Sequence, residues 1–129
     1  MLGAGAIGSL YGAKLAANND VTLIGRPEHV AAINAHGLRI EGLESQIVRV
    51  RAATAIDKLG QDALVLLTTK VPDNPAAAAS LAPLVRSDTT ILSLQNGLGT
   101  EDIVRVALDG RGVVLQWRAD VCRRHPDCG

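Results

Sequence analysis

The amino-acid sequence predicts an α/β fold in which helices cover a doubly wound, mostly parallel sheet. The first observation is a glycine spacing at the start of the chain, where Gly3, Gly5 and Gly8 lead into a helical pattern. The second is the alternation of short aliphatic segments with helical segments, which is typical of strand–helix–strand units. The third is composition: 47% of the 129 residues are hydrophobic, yet the chain has one Tyr, one Trp and no Phe. Aliphatic segments with few aromatic residues fit a parallel sheet buried on both faces.

The glycine spacing is that of a dinucleotide-binding turn between a strand and a helix. In such a turn the first glycine makes the tight bend, the second lets the backbone approach a pyrophosphate, and the third lets the helix pack closely on the strand. The N–H groups at the helix start then face the phosphates. Because Met1 and Leu2 alone precede the turn, the first strand is predicted to be truncated. The candidate cofactor-binding residues of the turn are Gly3, Ala4, Gly5, Ala6, Ile7 and Gly8.

The remaining elements follow from apolar periodicity and from the positions of Gly and Pro. The first helix is predicted to be amphipathic, with apolar residues at Ile7, Leu10, Tyr11 and Leu15. Strands are predicted at 21–24, 38–41, 46–51, 63–68, 89–94 and 113–115, and further helices at 28–36, about 76–85 and 101 to near 110. The segments 38–41 and 46–51 alternate apolar with polar residues, which indicates a half-exposed strand pair inserted into the parallel sheet. We expect Pro27 in the first turn of the second helix, Gly37 at its C-terminal cap and Thr100 as an N-terminal cap.

Composition excludes several classes of function. Lys plus Arg number 13 and Asp plus Glu number 13, so no basic field indicates a nucleic-acid or membrane partner. No apolar segment reaches the roughly 18 residues of a membrane span, and we expect a cytoplasmic protein. His29 and His36 are interpreted as polar positions of the second helix. No convincing catalytic triad or metal site is predicted, although Cys122, His125 and Cys128 could bind a metal in principle.

Three polar residues are expected to join the glycine turn at one crevice. Arg26, Lys70 and Asn96 each follow a predicted strand, and ligands of doubly wound sheets bind at the carboxyl ends of the strands. Arg26 stands where an arginine accommodates the 2′-phosphate of NADP, whereas NAD would need a carboxylate. Lys70 can meet a cofactor or an acidic substrate, and the Asn96 amide can donate and accept. Taken singly, these residues also fit a solvated arginine, a surface lysine and a turn asparagine.

Several segments together resemble the amino-terminal half of the ketopantoate reductases. The resemblance spans roughly residues 1 to 109, and its segments stand in the order found in that family. The Gly-Leu-Arg-Ile strand and the Gln-Asn-Gly turn make it more specific than the glycine spacing. The matching segments are 2–9 (Leu-Gly-Ala-Gly-Ala-Ile-Gly-Ser), 21–26 (Val-Thr-Leu-Ile-Gly-Arg), 34–40 (Asn-Ala-His-Gly-Leu-Arg-Ile), 66–70 (Leu-Leu-Thr-Thr-Lys) and 92–99 (Leu-Ser-Leu-Gln-Asn-Gly-Leu-Gly).

The resemblance implies a Rossmann-like fold and an oxidoreductase that uses NADPH to reduce a small 2-oxo acid, ketopantoate, to pantoate. The glycine turn would hold the pyrophosphate and Arg26 the 2′-phosphate. Lys70 would lie beside the cofactor, and Asn96 would contact both the nicotinamide side and the substrate. In this family a helical second domain supplies the general-acid lysine. We expect that domain to be absent from this chain, so no catalytic residue is expected in it, and we predict the chain to be inactive alone.

The resemblance also suggests a division of the chain and leaves alternatives open. Residues 1–114 are predicted to form the NADP-binding domain, and residues 115–129 a disordered tail whose composition departs from the family and suggests a frameshifted or chimeric end. One alternative is a reductase of another 2-oxo or 3-hydroxy acid. Another is a non-catalytic module that senses dinucleotides. A methyltransferase is disfavoured, because no carboxylate precedes Glu28 to bind the ribose of S-adenosylmethionine.

Overall fold

The computed structural model describes residues 1–42, 45–96 and 99–117 and shows helices alternating with strands. A 3₁₀ turn, Val71–Asp73, precedes the third helix. In chain order the elements are α1 (Ala6–Leu15), β1 (Thr22–Ile24), α2 (Pro27–His36), β2 (Leu38–Ile40), β3 (Gln46–Val48), β4 (Arg51–Ala53), β5 (Leu64–Leu67), α3 (Asn74–Leu81), β6 (Thr90–Ser93), α4 (Thr100–Ala107) and β7 (Val113–Gln116).

The main sheet is parallel and its centre is a single residue, Leu2. On one side β1 pairs with β4, and on the other side β5 pairs with β6 and β6 with β7, all in parallel. Leu2 forms parallel bridges to Ile24 of β1 and to Leu67 of β5. The order β4-β1-Leu2-β5-β6-β7 is that of a doubly wound sheet in which Leu2 stands for the first strand. The predicted fold class is confirmed, and Leu2 occupies the position of the first strand.

Backbone hydrogen bonds hold the start of the chain between the two sides of this sheet. The Leu2 N–H donates to the Leu66 carbonyl at 2.8 Å, and the Leu2 carbonyl accepts from the Thr68 N–H at 2.9 Å. On the other side, the Ile24 N–H donates to the Met1 carbonyl at 2.8 Å. In the part of the chain that the structure describes, β1 and β5 are paired through Leu2 alone.

Each side of the sheet has its own hydrophobic core. The first core lies under α1 and α2, and it comprises Ala4, Ala13, Leu23, Val30, Ile33, Leu38 and Ala52. The second core lies under α3 and α4, and it comprises Leu2, Val65, Leu67, Ala77, Leu81, Val85, Ile91, Val104, Leu108 and Val114. The first core contains three alanines, whereas the second is built mainly from Leu, Val and Ile.

Close packing of α1 on the sheet leaves the large apolar residues of this helix on its outer face. Its large apolar residues face outward: Ile7 is 52% exposed and Tyr11 is 40% exposed. The buried residues of the helix are Gly8, Gly12 and Ala13. A Cβ atom on Gly12 would overlap the Leu23 side chain, so large side chains do not fit on this face. The helix prediction is confirmed, and the buried face of the helix consists of its small residues.

The predicted strand pair also differs in detail. Strands β2 and β3 form a separate two-stranded antiparallel sheet instead of an insertion into the parallel sheet. The segment predicted as one strand, 46–51, serves both sheets, because Gln46–Val48 pairs with β2 while Arg51–Ala53 pairs with β1. The chain must change direction between them.

Local sequence signals predicted one of two helix caps correctly. Gly37 is the C-terminal cap of α2 with φ +82°, as predicted. Gly99, in a left-handed conformation, caps α4 instead of Thr100, which is the first residue of the helix. Strand β7 extends over residues 115 and 116, and residues 118–129 of the predicted tail lie outside the described residues. Within the described ranges, no helix is both long enough and apolar enough to cross a lipid bilayer.

Candidate cofactor-binding crevice

The glycine turn connects Leu2 to α1 in a conformation that requires two of its glycines. Gly3 has φ +109°, and a Cβ atom there would lie 2.7 Å from the Thr69 nitrogen. A Cβ atom on Gly8 would overlap the Gly3 carbonyl oxygen. Both clashes involve backbone atoms, which cannot move aside as a flexible side chain can. The first glycine therefore makes the bend and the third permits the close helix packing, which are the parts that these positions play in a dinucleotide-binding turn.

The middle of the turn is open, as a bound phosphate would need. A Cβ atom on Gly5 would have no described atom within 4 Å. Gly5 caps α1, which begins at Ala6, and no side chain of the described residues caps this end of the helix. The first N–H groups of a helix lack partners within it and attract anions. The turn therefore fits a pyrophosphate, with Ala4 buried behind it and Ile7 at the edge of the neighbouring cleft.

Thr68, at the end of β5, ties the glycine turn to the second side of the sheet. Its hydroxyl donates to the Gly3 carbonyl at 2.7 Å and lies 3.2 Å from the Leu2 carbonyl. The same oxygen lies 2.6 Å from the position of a Cβ atom on Gly8. Thr68 belongs to the segment 66–70 that carries the family resemblance, but no role was predicted for it.

A cleft of about 380 Å³ brings the glycine turn together with Lys70 and Asn96. Lys70 is exposed and caps the 3₁₀ turn after β5, and Asn96 is exposed after β6. The two predicted residues therefore share one cleft with Ile7. The cleft is lined by Ile7, Thr68, Thr69, Lys70, Val71, Pro72, Leu94, Gln95 and Asn96.

A buried amide network holds the two loops of the cleft together. Asn74 is fully buried, and its amide pairs with that of Gln95: the Asn74 Nδ2–H donates to Gln95 Oε1 at 2.9 Å, and the Gln95 Nε2–H donates to Asn74 Oδ1 at 2.6 Å. Gln95 Nε2 also donates to the Thr69 carbonyl at 2.6 Å. Thr69 and Gln95 immediately precede Lys70 and Asn96, so the network positions both. Asn74 was not predicted as a site residue, and its only signal in the sequence is a polar residue between Pro72 and Pro75.

Arg26 lies on the other side of the glycine turn and does not line the cleft. It is exposed and caps α2 at the end of β1. Gly25 packs against Ala4 so closely that a Cβ atom on Gly25 would lie 2.8 Å from the Ala4 Cβ. The His29 ring contacts the same residue, with Nδ1 3.1 Å from the Ala4 carbonyl oxygen. The predicted residues therefore flank the turn, with Arg26 on one side and Lys70 and Asn96 on the other.

Metal-binding residues can be assessed for part of the chain. Among the described residues, no three His, Cys, Asp or Glu side chains come together as a metal site would require. Cys122, His125 and Cys128 lie outside those residues. His29 and His36 are exposed residues of α2, as interpreted from the sequence.

Comparison with known proteins matches nearly the whole chain. A family model described as ketopantoate reductase PanE/ApbA matches residues 1–124. The 2-dehydropantoate 2-reductase of Pyrococcus horikoshii is 48% identical over 114 residues, which are 88% of this chain and 37% of that protein. A PanE/ApbA family ketopantoate reductase from Ralstonia eutropha superposes with a TM-score of 0.79 and 37% identity, over 90% of this chain and 40% of that chain.

A third similar protein has a different name. It is a D-mandelate dehydrogenase, solved as a ternary structure with NADH and anilino(oxo)acetate, with a TM-score of 0.72 and 30% identity. That match covers 84% of this chain and 37% of the dehydrogenase chain. The chain thus spans about two-fifths of the length of the relatives that it matches. Since the family model covers residues 1–124, the chain belongs to the ketopantoate reductase PanE/ApbA family.

Proposed function

We propose that the chain is the NADPH-binding part of an oxidoreductase that reduces 2-dehydropantoate or a close 2-oxo acid. The observation that carries the proposal is the glycine turn, whose first and third glycines admit no side chain while the second faces open space. Family membership and the cleft beside the turn support it. The cytoplasmic location expected from the sequence stays a prediction.

The residues of the crevice would divide the cofactor between them. The N–H groups at the start of α1 would bind the pyrophosphate, and Arg26 would bind the 2′-phosphate through charge-assisted hydrogen bonds. On the other side, Lys70 and Asn96 would contact the nicotinamide end and the substrate. The bound cofactor would supply a hydride to the carbonyl carbon of the 2-oxo acid.

The proposal places proton transfer outside this chain. Reduction of a carbonyl needs a proton donor for the forming alkoxide, held within hydrogen-bond reach. Among the described residues that line the cleft, Lys70 is the one ionisable side chain, and we assign it to cofactor contact. The chain covers 37% of the Pyrococcus relative, and we infer that the proton donor belongs to the remainder. The chain alone should bind NADPH without reducing the substrate.

The test is a titration of NADPH and NADH into the purified chain and into its Arg26→Ala variant. Binding is measured by calorimetry, and stabilisation by the melting temperature. We expect NADPH to bind more tightly than NADH. Arg26→Ala should weaken NADPH binding by about ten- to a hundredfold, the worth of a charge-assisted contact, and leave NADH binding unchanged. Arg111→Ala is the matched control, because Arg111 is an exposed arginine before β7, at the opposite end of the sheet.

Two outcomes would contradict the proposal. Equal affinity of the original chain for NADPH and NADH would make Arg26 a surface residue. Absence of binding in a chain that melts cooperatively would exclude a dinucleotide function. Reduction of 2-dehydropantoate by this chain at the rate of a complete relative would contradict the placement of the proton donor.

The second candidate is a reductase of another 2-oxo acid. The observation that favours it is the similarity to a D-mandelate dehydrogenase whose structure contains NADH and anilino(oxo)acetate. Tighter binding of NADH than of NADPH would support this candidate over the first. A module that senses dinucleotides without catalysis would bind the cofactor in the same way, and an active protein containing this chain would exclude it.

A further inference from the structure

We propose that His29 is a positioning residue that holds Arg26 at a set distance from the glycine turn and thereby strengthens the preference for a 2′-phosphorylated dinucleotide. The inference rests on the proposed function, since it assumes that the glycine turn and Arg26 bind two parts of the same ligand. The observation behind it is the contact between the His29 ring and the Ala4 carbonyl, 25 residues apart in the sequence.

The contact links two elements that would bind different phosphates. Ala4 lies inside the glycine turn and is 5% exposed. His29 is in the first turn of α2, and Arg26 caps the same helix. A hydrogen bond from His29 Nδ1 to the Ala4 oxygen therefore ties the start of α2 to the turn. Because a helical turn is rigid, the bond also limits the positions open to the Arg26 backbone.

The direction of this hydrogen bond follows from its acceptor. A backbone carbonyl oxygen can only accept, so Nδ1 of His29 must carry the hydrogen. Both the neutral Nδ1–H tautomer and the imidazolium ion satisfy this requirement. The proposed effect of the contact depends on the position of the ring and not on its charge.

Loss of this contact should affect the two phosphate sites unequally. The glycine turn is held from β1 by backbone bonds, because the Gly3 and Ala4 N–H groups both donate to the Ile24 carbonyl, at 3.1 and 2.8 Å. Those bonds do not involve His29. The start of α2 would lose an anchor, whereas the turn that faces the pyrophosphate would keep its own. Binding of the 2′-phosphate should therefore weaken more than binding of the rest of the dinucleotide.

The test compares NADP⁺ with NAD⁺, which differ by the 2′-phosphate alone, by calorimetric titration. His29→Leu removes the donor, and His29→Asn keeps an amide N–H near the position of Nδ1. The matched control is His36→Leu, since His36 is an exposed histidine in the last turn of the same helix. We expect His29→Leu to reduce the ratio of NADP⁺ to NAD⁺ affinity about three- to tenfold, the worth of one hydrogen bond. His29→Asn should retain most of the ratio, and His36→Leu all of it.

A merely structural role would give a different result. If His29→Leu weakens both dinucleotides equally, or changes neither, the inference is wrong while the proposed function stands. If the original chain does not distinguish NADP⁺ from NAD⁺, the proposed role of Arg26 fails first and the inference falls with it. Should His29→Leu not melt cooperatively, His29→Gln replaces it, because its longer amide lies beyond the Nδ1 position. Retention of the ratio by the Gln variant would also overturn the inference.

Discussion

The two sides of the crevice are built by different means. On the side of the glycine turn, backbone lies directly against backbone, and a side chain on Gly3 or Gly8 would overlap neighbouring main-chain atoms. On the side of the cleft, side chains hold the two loops together. The amides of Asn74 and Gln95 bind each other, and Gln95 also binds the Thr69 backbone. One side depends on the absence of side chains and the other on their pairing.

This difference indicates how each side should respond to substitution. Where backbone packs directly against backbone, an added side-chain atom overlaps its neighbours and forces the two segments apart. A buried amide pair tolerates a change of volume better than the loss of one partner, because the remaining amide loses part of its hydrogen bonding. The Thr68 hydroxyl, bonded to the Gly3 carbonyl, joins the two sides.

The largest effect is expected from Gly8→Ala, on the glycine side. The added Cβ atom would overlap the Gly3 carbonyl oxygen, and α1 could make room only by moving away from the turn. Overpacking of this kind costs about 1–3 kcal/mol and occasionally more. The displaced helix start should also lose its NADPH binding. Urea unfolding measures the first effect and calorimetric titration the second.

Gly5→Ala is the matched control for this variant. No described atom lies within 4 Å of its added methyl group, and Gly5 has an extended conformation that alanine adopts readily. The free energy of unfolding should change by less than about 1 kcal/mol, since the residue is a helix cap. NADPH binding should still weaken, because the methyl group occupies the approach to the turn. Equal unfolding free energies for the Gly8 and Gly5 variants would refute the close packing inferred for α1.

An intermediate effect is expected on the cleft side, from Asn74→Leu and Gln95→Met. Each single substitution removes one hydrogen-bond partner of the other buried amide, which costs about 1–2 kcal/mol because that amide keeps a bond to Thr69. The double variant should lose less than the sum of the two, because no amide that has lost its partner remains. Urea unfolding of the four proteins in this cycle measures the coupling.

A residue outside the cleft supplies the control for additivity. Asn34 of α2 bonds through its side chain to the Ala52 backbone, with 2.9 and 3.1 Å distances. Asn34→Leu should destabilise the chain, but its effect should add to that of Gln95→Met because the two share no partner. If Asn74→Leu and Gln95→Met were equally additive, the amides would not act as a pair.

The smallest effect is expected away from both sides, at Asp88 in the turn before β6. The Arg86 guanidinium, 2.5 Å from the Asp88 carboxylate, holds the pKa of that carboxyl below its ordinary value of 3.8. A carboxyl with a lowered pKa in the folded state stabilises the protein above pH 3.8 and loses this contribution as the pH falls through the lower value. Asp88→Asn should therefore differ from the original chain at pH 6 and approach it in stability below pH 3.8.

The readout for Asp88 is chemical unfolding at a series of pH values, with NADPH titration at pH 7. Cofactor affinity should not change, since Asp88 precedes β6 while the crevice follows it. A stability difference that persists unchanged well below pH 3.8 would show that the ion pair with Arg86 is not its source. A change in NADPH affinity would show that the two ends of the sheet are coupled.

The same comparison explains what the sequence could predict. The glycine side is visible in the sequence, because glycine is the residue type that such a turn requires and Gly3, Gly5 and Gly8 have the matching spacing. The cleft side is not visible, because Asn74 and Gln95 meet through tertiary structure and neither residue type is required by its local backbone. The contact between His29 and Ala4 could not be predicted from the sequence either, because it too forms through tertiary structure.

Two differences between the predicted and the observed elements have a related cause. The apolar residues of α1 suggested a buried stripe, but the distance between helix and sheet, set by Gly8, Gly12 and Ala13, decided which face is buried. The segment 46–51 has the alternation of one strand, but pairing with two different sheets divided it. Periodicity identifies an element, whereas its partners determine its limits and its orientation.

The central position of Leu2 has a consequence for the timing of folding during synthesis. Thr68, which bonds to Leu2, is 66 residues further along the chain. At roughly 5–20 residues per second, a ribosome adds these residues in about 3–13 s. During this interval Leu2 and the glycine turn have the partners of β1 but not those of β5. The sheet can close only after β5 emerges, so Leu2 and the glycine turn must wait for it.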